Sequence, residues 1–221
     1  MPSSNFKQDL FTQFARVGKA FSNANRLEIL EFLAQGERSV EALSKVAGLS
    51  IANTSQHLQQ LRQVGLVISR KEGLKVYYQI SSGDVVTLLG SIRKVAERHI
   101  AEVEQLVNSF LTVKDSLEPI PRQELLARIE QGLVVVLDVR PALEYKAGHV
   151  PGAINIPLQE LEQRLKEFDQ DTEIVAYCRG AHCILAFDAV AKLREQGFKA
   201  SRMEDGFPEW KTEGLPVEES K

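Results

Sequence analysis

The chain has 221 residues, 43% of them hydrophobic and 26% charged, with a formal net charge of −3 and two cysteines. That length suffices for two modest domains, each with its own core. No apolar stretch approaches the roughly 20 residues of a membrane span, and the sparse cysteines with no signal-like N-terminus point to a reducing, cytoplasmic setting without structural disulfides. The charge is uneven: residues 1–113 carry 13 Lys/Arg against 10 Asp/Glu, and residues 114–221 carry 14 against 20.

The first half reads as mostly helical. Phe6, Leu10, Phe14, Val17 and Phe21 recur on one face of a first helix, and Leu27, Ile29, Leu30, Phe32 and Leu33 mark a second. Residues 39–47 form a short third helix with Ser39 as N-cap, broken by Gly48. Ser50 caps a fourth helix that runs to about Val64 and ends at Gly65. Residues 66–69 and 75–80 are β-like runs joined through a basic, glycine-containing turn. Residues 82–111 read as one long helix, and 112–121, with two prolines and a charged run, as linker.

Helix, glycine-containing turn, helix and basic hairpin outline a winged helix-turn-helix, in which the polar face of the second helix of the motif enters the DNA major groove. On the fourth helix Leu58 and Leu61, helped by Ile51, should face the core. Asn53, Ser55, Gln56, His57, Gln59 and Gln60 are then left for DNA. Asn and Gln match the paired donor and acceptor of adenine, and Arg70, Lys71 and Lys75 of the hairpin suit phosphates. Between Arg38 and Tyr78 six basic residues stand against two acidic ones.

The second half alternates strands and helices, as a small α/β domain does. Residues 134–139 and 173–177 are continuous apolar strands of the parallel, doubly covered kind, and residues 158–168 and 183–196 are amphipathic helices. A last strand falls at 201–203. Both cysteines lie in Tyr177-Cys178-Arg179-Gly180-Ala181-His182-Cys183, after a strand and before a helix. Loop amides and the positive end of a helix favour a thiolate there, which makes Cys178 a candidate nucleophile; the alternative is two small buried hydrophobes.

Two resemblances follow. Residues 24–30, Ser55-Gln56-His57-Leu58 through Val67, and Arg70 to Val76-Tyr77-Tyr78 resemble the arsenic-repressor (ArsR/SmtB) family over about the first 110 residues. This implies a homodimer that binds a palindromic double-stranded operator and usually represses. Family metal sites use third-helix cysteines or Asp/His/Glu on the last helix. Here residues 37–43 hold no thiol, and the matching last-helix places are Asp84, Val86, Glu97 and Ile100, too few donors for zinc.

Asp138-Val139-Arg140, Glu144-Tyr145, residues 148–157, the Cys178 loop and Gly206-Phe207-Pro208-Glu209-Trp210 resemble the rhodanese family over about 118–217. That resemblance implies a persulfide on Cys178, with Arg179, Gly180, Ala181, His182 and Cys183 forming the anion-binding loop and Arg179 adding charge stabilisation. Asp138, Arg140 and Glu144 read as ion pairs of the loop scaffold, His149 as hydrogen-bonded within its loop, and Trp210 as core. Loops that clamp a tetrahedral oxyanion place an arginine about six residues after the cysteine; Ile184 stands there, which argues for sulfur transfer over phosphate hydrolysis.

The expected organisation is two domains: a mostly α winged helix-turn-helix at 1–112, a linker at 113–121, and a small α/β rhodanese-like domain with a mainly parallel sheet at 122–217. The expected function is a repressor that senses reactive sulfur through Cys178, with Cys183 resolving the persulfide. Polysulfide, thiosulfate or a low-molecular-weight persulfide would be the donor. Two alternatives stand beside it: a thiosulfate- or polysulfide-using sulfurtransferase tethered to a DNA-binding module, and a Cu(I) or As(III) sensor using the two cysteines. No cofactor, resident metal or membrane partner is expected.

Overall fold

Polar caps and glycines set most element ends in the first half. In the computed structural model, which describes residues 3–112 and 119–220, helix α1 (Ser3–Phe21) leads into α2 (Ala24–Ala34), capped where Asn23 accepts the Arg26 amide at 3.1 Å. A two-residue strand β1 (Arg38–Ser39) precedes α3 (Val40–Val46), and α4 (Ile51–Gln63) follows. Ser39 and Ser50 each accept the amide three residues on, as capping serines should. Strands β2 (Val67–Glu72) and β3 (Lys75–Ile80) form a hairpin, with Gly73 at φ +59° in its turn. The sheet order is β1-β3-β2, all antiparallel.

The chain packs as two units, Met1–Val86 and Thr87–Lys221. The division falls inside helix α5 (Gly83–His99), ahead of the sequence-based boundary at residue 112. The single long helix expected over 82–111 is instead broken. Ile100 takes an extended backbone, α6 (Ala101–Val107) restarts after it, and a π-helical turn spans Asn108–Thr112. No proline or glycine marks this break, so the apolar periodicity runs through it unnoticed. The expected linker at 113–121 lies mostly outside the described residues.

In the first unit Ile29, Leu30, Leu33, Leu43, Leu58 and Leu61 are buried, and each contributes about 1.5–3 kcal/mol by leaving water. Ile51, expected to help there, is 55% exposed; fully buried Thr54 takes the inward place and returns its hydroxyl to the Ser50 carbonyl. Arg26 is also buried, donating to the carbonyls of Lys19 and Ala20 at the end of α1 and to Gln60 on α4.

The second unit centres on a four-stranded, wholly parallel sheet in the order β5-β4-β6-β7, with β4 at Val135–Asp138, β5 at Ile154–Asn155, β6 at Glu173–Tyr177 and β7 at Lys199–Arg202. Helices α7 (Arg122–Glu130), α8 (Ala142–Lys146), α9 (Leu161–Arg164), α10 (Ile184–Glu195) and α11 (Phe207–Thr212) accompany it. The helix expected over 158–168 shortens to α9 and a 3-10 turn. The sheet separates two apolar clusters. One holds Leu137, Ile174, Ala176, Cys178 and α10; the other holds Val136, Val175, Tyr177, Phe207 and Trp210. Trp210 is fully buried and donates its indole N–H to the Pro216 carbonyl at 2.7 Å.

Candidate functional site

On α4 the side chains of Asn53, Gln56, Gln59 and Gln60 are exposed and Ser55 is half-buried. Gln60 is tied by its carbonyl to Arg26 at 2.8 Å. His57 is half-buried as well, with Nδ1 buried and without a hydrogen bond among the described residues. Burial, aided by the charge of Arg26, holds its pKa below 6.5, so a neutral imidazole stands on this helix. On the hairpin Lys71 and Lys75 are exposed. Arg70 is braced by Glu37 at 2.5 Å and by Glu72, over the ring of Tyr77. Hydrogen bonds to Glu37 and Glu72 raise the already high Arg70 pKa. The sequence reading did not foresee Glu37 as its partner, since the two lie 33 residues apart.

Cys178 follows β6 and Cys183 is the N-cap of α10. The two are joined by a disulfide, with Cα atoms 6.1 Å apart, inside the range such bonds require; this departs from the expectation of a chain without disulfides, because the five-residue loop brings both thiols together. Cys178 is 1% exposed and Cys183 half-buried. Within the loop the Cys183 amide donates to the Gly180 carbonyl at 3.0 Å, while the Phe207 amide donates to the Cys178 carbonyl at 3.1 Å.

Beneath the loop lies a buried polar scaffold. Asp138 and Arg140 form a fully buried ion pair at 2.5 Å. The Tyr177 hydroxyl donates to Asp138 at 2.6 Å and accepts from the Val150 amide, and Arg140 reaches the Gly148 carbonyl. Burial, together with the Asp138 charge, pushes the Tyr177 pKa well up, so the hydroxyl keeps its proton and donates. The ion-pair reading of Asp138, Arg140 and Glu144 thus matches the geometry, with Glu144 serving Arg179: Arg179 Nη2 and Nε reach its two oxygens at 2.8 and 2.9 Å. His149 hydrogen-bonds the Tyr145 carbonyl through Nδ1, as expected.

Two elements brace the loop from outside it. Gly206 lies so close that an added Cβ would sit 2.3 Å from the Arg179 carbonyl carbon and oxygen. From α5, within the second unit, Glu97 pairs with His182 at 3.1 Å, and Arg93 reaches Glu209 at 3.2 Å. Glu97 figured in the sequence reading only at a metal-ligand position, and Arg93 not at all. Its contact spans 116 residues, which no local pattern signals.

Comparison with known proteins agrees with both halves. The arsR family of bacterial regulatory proteins matches residues 23–69, and the rhodanese-like domain matches residues 121–213. The chain belongs to the ArsR family of helix-turn-helix transcriptional regulators and carries a rhodanese domain behind its winged helix. It is 48% identical over 216 residues to the HTH-type transcriptional regulator Rv0324 of Mycobacterium tuberculosis, covering 98% of this chain and 95% of the relative. A sulfurtransferase of Allochromatium vinosum is 31% identical over 86 residues, 38% of this chain and 78% of that protein. Among solved structures, the homodimeric winged helix-turn-helix domain Mb0332 of Mycobacterium bovis is 44% identical, with a TM-score of 0.42, over 45% of this chain and 93% of that one.

Proposed function

We propose that this DNA-binding regulator is a repressor whose rhodanese domain senses reactive sulfur through Cys178 and Cys183. The observation that carries the reading is the pairing of the chain's two cysteines across the rhodanese loop. In the reduced protein the Cys178 thiolate attacks the sulfane sulfur of a low-molecular-weight persulfide. A Cys178 S–S bond forms, the donor S–S bond breaks, and the donor thiolate leaves with the electron pair. The Cys183 thiolate then attacks the Cys178 sulfur and expels hydrosulfide, leaving the disulfide. Two thiols are oxidised and one sulfane sulfur is reduced. The closeness of the two cysteines makes the second step intramolecular and fast.

DNA is read by Asn53, Ser55, Gln56, His57 and Gln60 of α4, with Arg70, Lys71 and Lys75 on phosphates. A second copy of the chain completes the operator-binding form. In support, α1 leaves Phe6, Phe11 and Phe14 more than half exposed on a helix that a monomer would keep polar.

The test is operator binding by the reduced chain before and after polysulfide, with arsenite and Cu(I) as parallel arms. Release by polysulfide, lost in Cys178→Ser, supports the reading; release by arsenite or Cu(I) alone overturns it. Mass spectrometry should find Cys183→Ser stalled as a Cys178 persulfide, and an adduct on Cys183 alone would reverse the two roles. The likeness to the Allochromatium sulfurtransferase favours a second reading, catalytic turnover, for which repeated sulfur transfer to cyanide is the mark.

A further inference from the structure

Arg26, on α2, is buried at 9% exposure, and all three of its guanidinium nitrogens donate. Nε reaches the Ala20 carbonyl at 2.6 Å and Nη2 the Lys19 carbonyl at 2.7 Å, both at the end of α1. Nη1 reaches Gln60 Oε1 on α4 at 2.8 Å. A guanidinium carries donors only and keeps its proton. The Gln60 amide can therefore face it only through its oxygen; turned over, it would set N–H against N–H.

We propose that Arg26 fixes Gln60 as a donor-only reader, so that Gln60 selects guanine over adenine in each operator half-site. This rests on the reading of α4 as the helix that enters the major groove.

Three observations carry it. First, Gln60 stays exposed although its oxygen is engaged, so the NH2 group is the end left for a partner. Second, Asn53, Gln56 and Gln60 are exposed at spacings of three and four residues, on the side of α4 away from buried Thr54, Leu58 and Leu61. Gln60 thus shares a stripe with the other amides assigned to the groove. Third, Arg26 is itself anchored: carbonyls at a helix C-terminus attract a cation, and two of them hold this one in place.

A glutamine with both ends available pairs its donor and acceptor with adenine, as the sequence reading supposed. With its acceptor engaged by Arg26, Gln60 loses that match. Adenine would offer N7 but set its N6 amino donor against a second donor. Guanine presents two acceptors, N7 and O6, side by side, and an outward NH2 suits them.

The test selects half-sites from randomised duplexes with the reduced, full-length chain. Gln60→Ala locates the base that Gln60 reads, as the position whose preference it erases. There the unsubstituted chain should favour guanine over adenine about tenfold. Gln60→Glu keeps one oxygen for Arg26 and turns the other outward, which should move the preference to cytosine, whose N4 amino group donates. Arg26→Met should free the amide to turn over and bring guanine and adenine within about twofold, with binding to scrambled duplex unchanged. A purely structural role for Arg26 would weaken binding to both duplexes together. Gln60 is exposed, so its variants should fold even where Arg26→Met does not, and thermal unfolding checks each. A preference for any base other than guanine in the unsubstituted chain, or guanine retained by Gln60→Glu, overturns the proposal. So do unaltered preferences in Gln60→Ala while Gln56→Ala relaxes one, an outcome that leaves the groove reading standing. If no substitution on α4 alters any preference, that reading falls too.

Discussion

Arg179, one residue after Cys178, spends its guanidinium on Glu144, a carboxylate that is 2% exposed at the start of a short helix 35 residues upstream. The charge that the sequence suggested for stabilising a bound anion is thus also what makes a buried carboxylate tolerable. Arg179→Ala leaves Glu144 without that partner and should cost about 3–5 kcal/mol in urea unfolding of the full chain. Replacing both residues, as in Arg179→Met with Glu144→Leu, should recover most of the loss. A single-variant cost below about 1 kcal/mol would show that solvent screens the pair.

Gly206 and Gly180 make opposite forecasts from the same kind of contact. At 206 the added methyl would strike backbone, at 180 a movable guanidinium. Gly206→Ala should therefore destabilise the chain by about 1–3 kcal/mol and slow sulfur uptake at Cys178. Thermal unfolding of the two variants side by side decides it: an unperturbed Gly206→Ala would mean that the segment carrying Glu209 is free to slide.

His57 gives a pH dependence whose sign follows from its burial. Its folded pKa lies below the unfolded value of 6.5, so in the window just below 6.5 the unfolded chain binds more protons. Stability should fall as pH drops through that window, and His57→Gln should lose this part of the slope. Urea midpoints at a series of pH values between about 5 and 7 measure it. An unchanged slope in the variant would place the imidazole in solvent.

On DNA, Gln56 and Lys71 should separate. Gln56→Ala should cost about 1–3 kcal/mol on the preferred operator and relax one base preference. Lys71→Ala should weaken all sequences alike and lower the salt slope by roughly one. Fluorescence anisotropy on operator and scrambled duplexes reads both, and equal effects of the two changes on both duplexes would sink the groove assignment.

How much of this was legible in the sequence depends on the range of the interaction. Ser39, Ser50 and Gly73 act on their immediate neighbours, and the helix starts and hairpin stood where those residues put them. The apolar runs at 134–139 and 173–177 likewise hold the central parallel strands β4 and β6, the first shortened to Val135–Asp138. The break at Ile100 was not legible, because an extended β-branched residue inside an apolar repeat leaves no mark on periodicity. The inward turn of Thr54 in place of Ile51 was hidden for a related reason. A threonine that returns its hydroxyl to the Ser50 carbonyl buries as readily as an aliphatic residue. At the loop, the place of Cys178 and Cys183 between a strand and a helix singled them out, and the resemblance to the rhodanese family added Asp138, Arg140 and Glu144. Arg93 and the pairing of Glu97 with His182 arise only once the fold brings distant segments together.

The chain's one tryptophan lies sealed in the core of the second unit. Its intrinsic fluorescence therefore reports the rhodanese half alone, with no label introduced, whereas the far-ultraviolet circular dichroism of the same sample sums helices from both halves. Monitored together during denaturation, the two signals should coincide if the halves melt as one cooperative body and separate if they do not. A reagent that reacts at the loop can then be asked which half it stabilises, from a single titration of the unmodified protein.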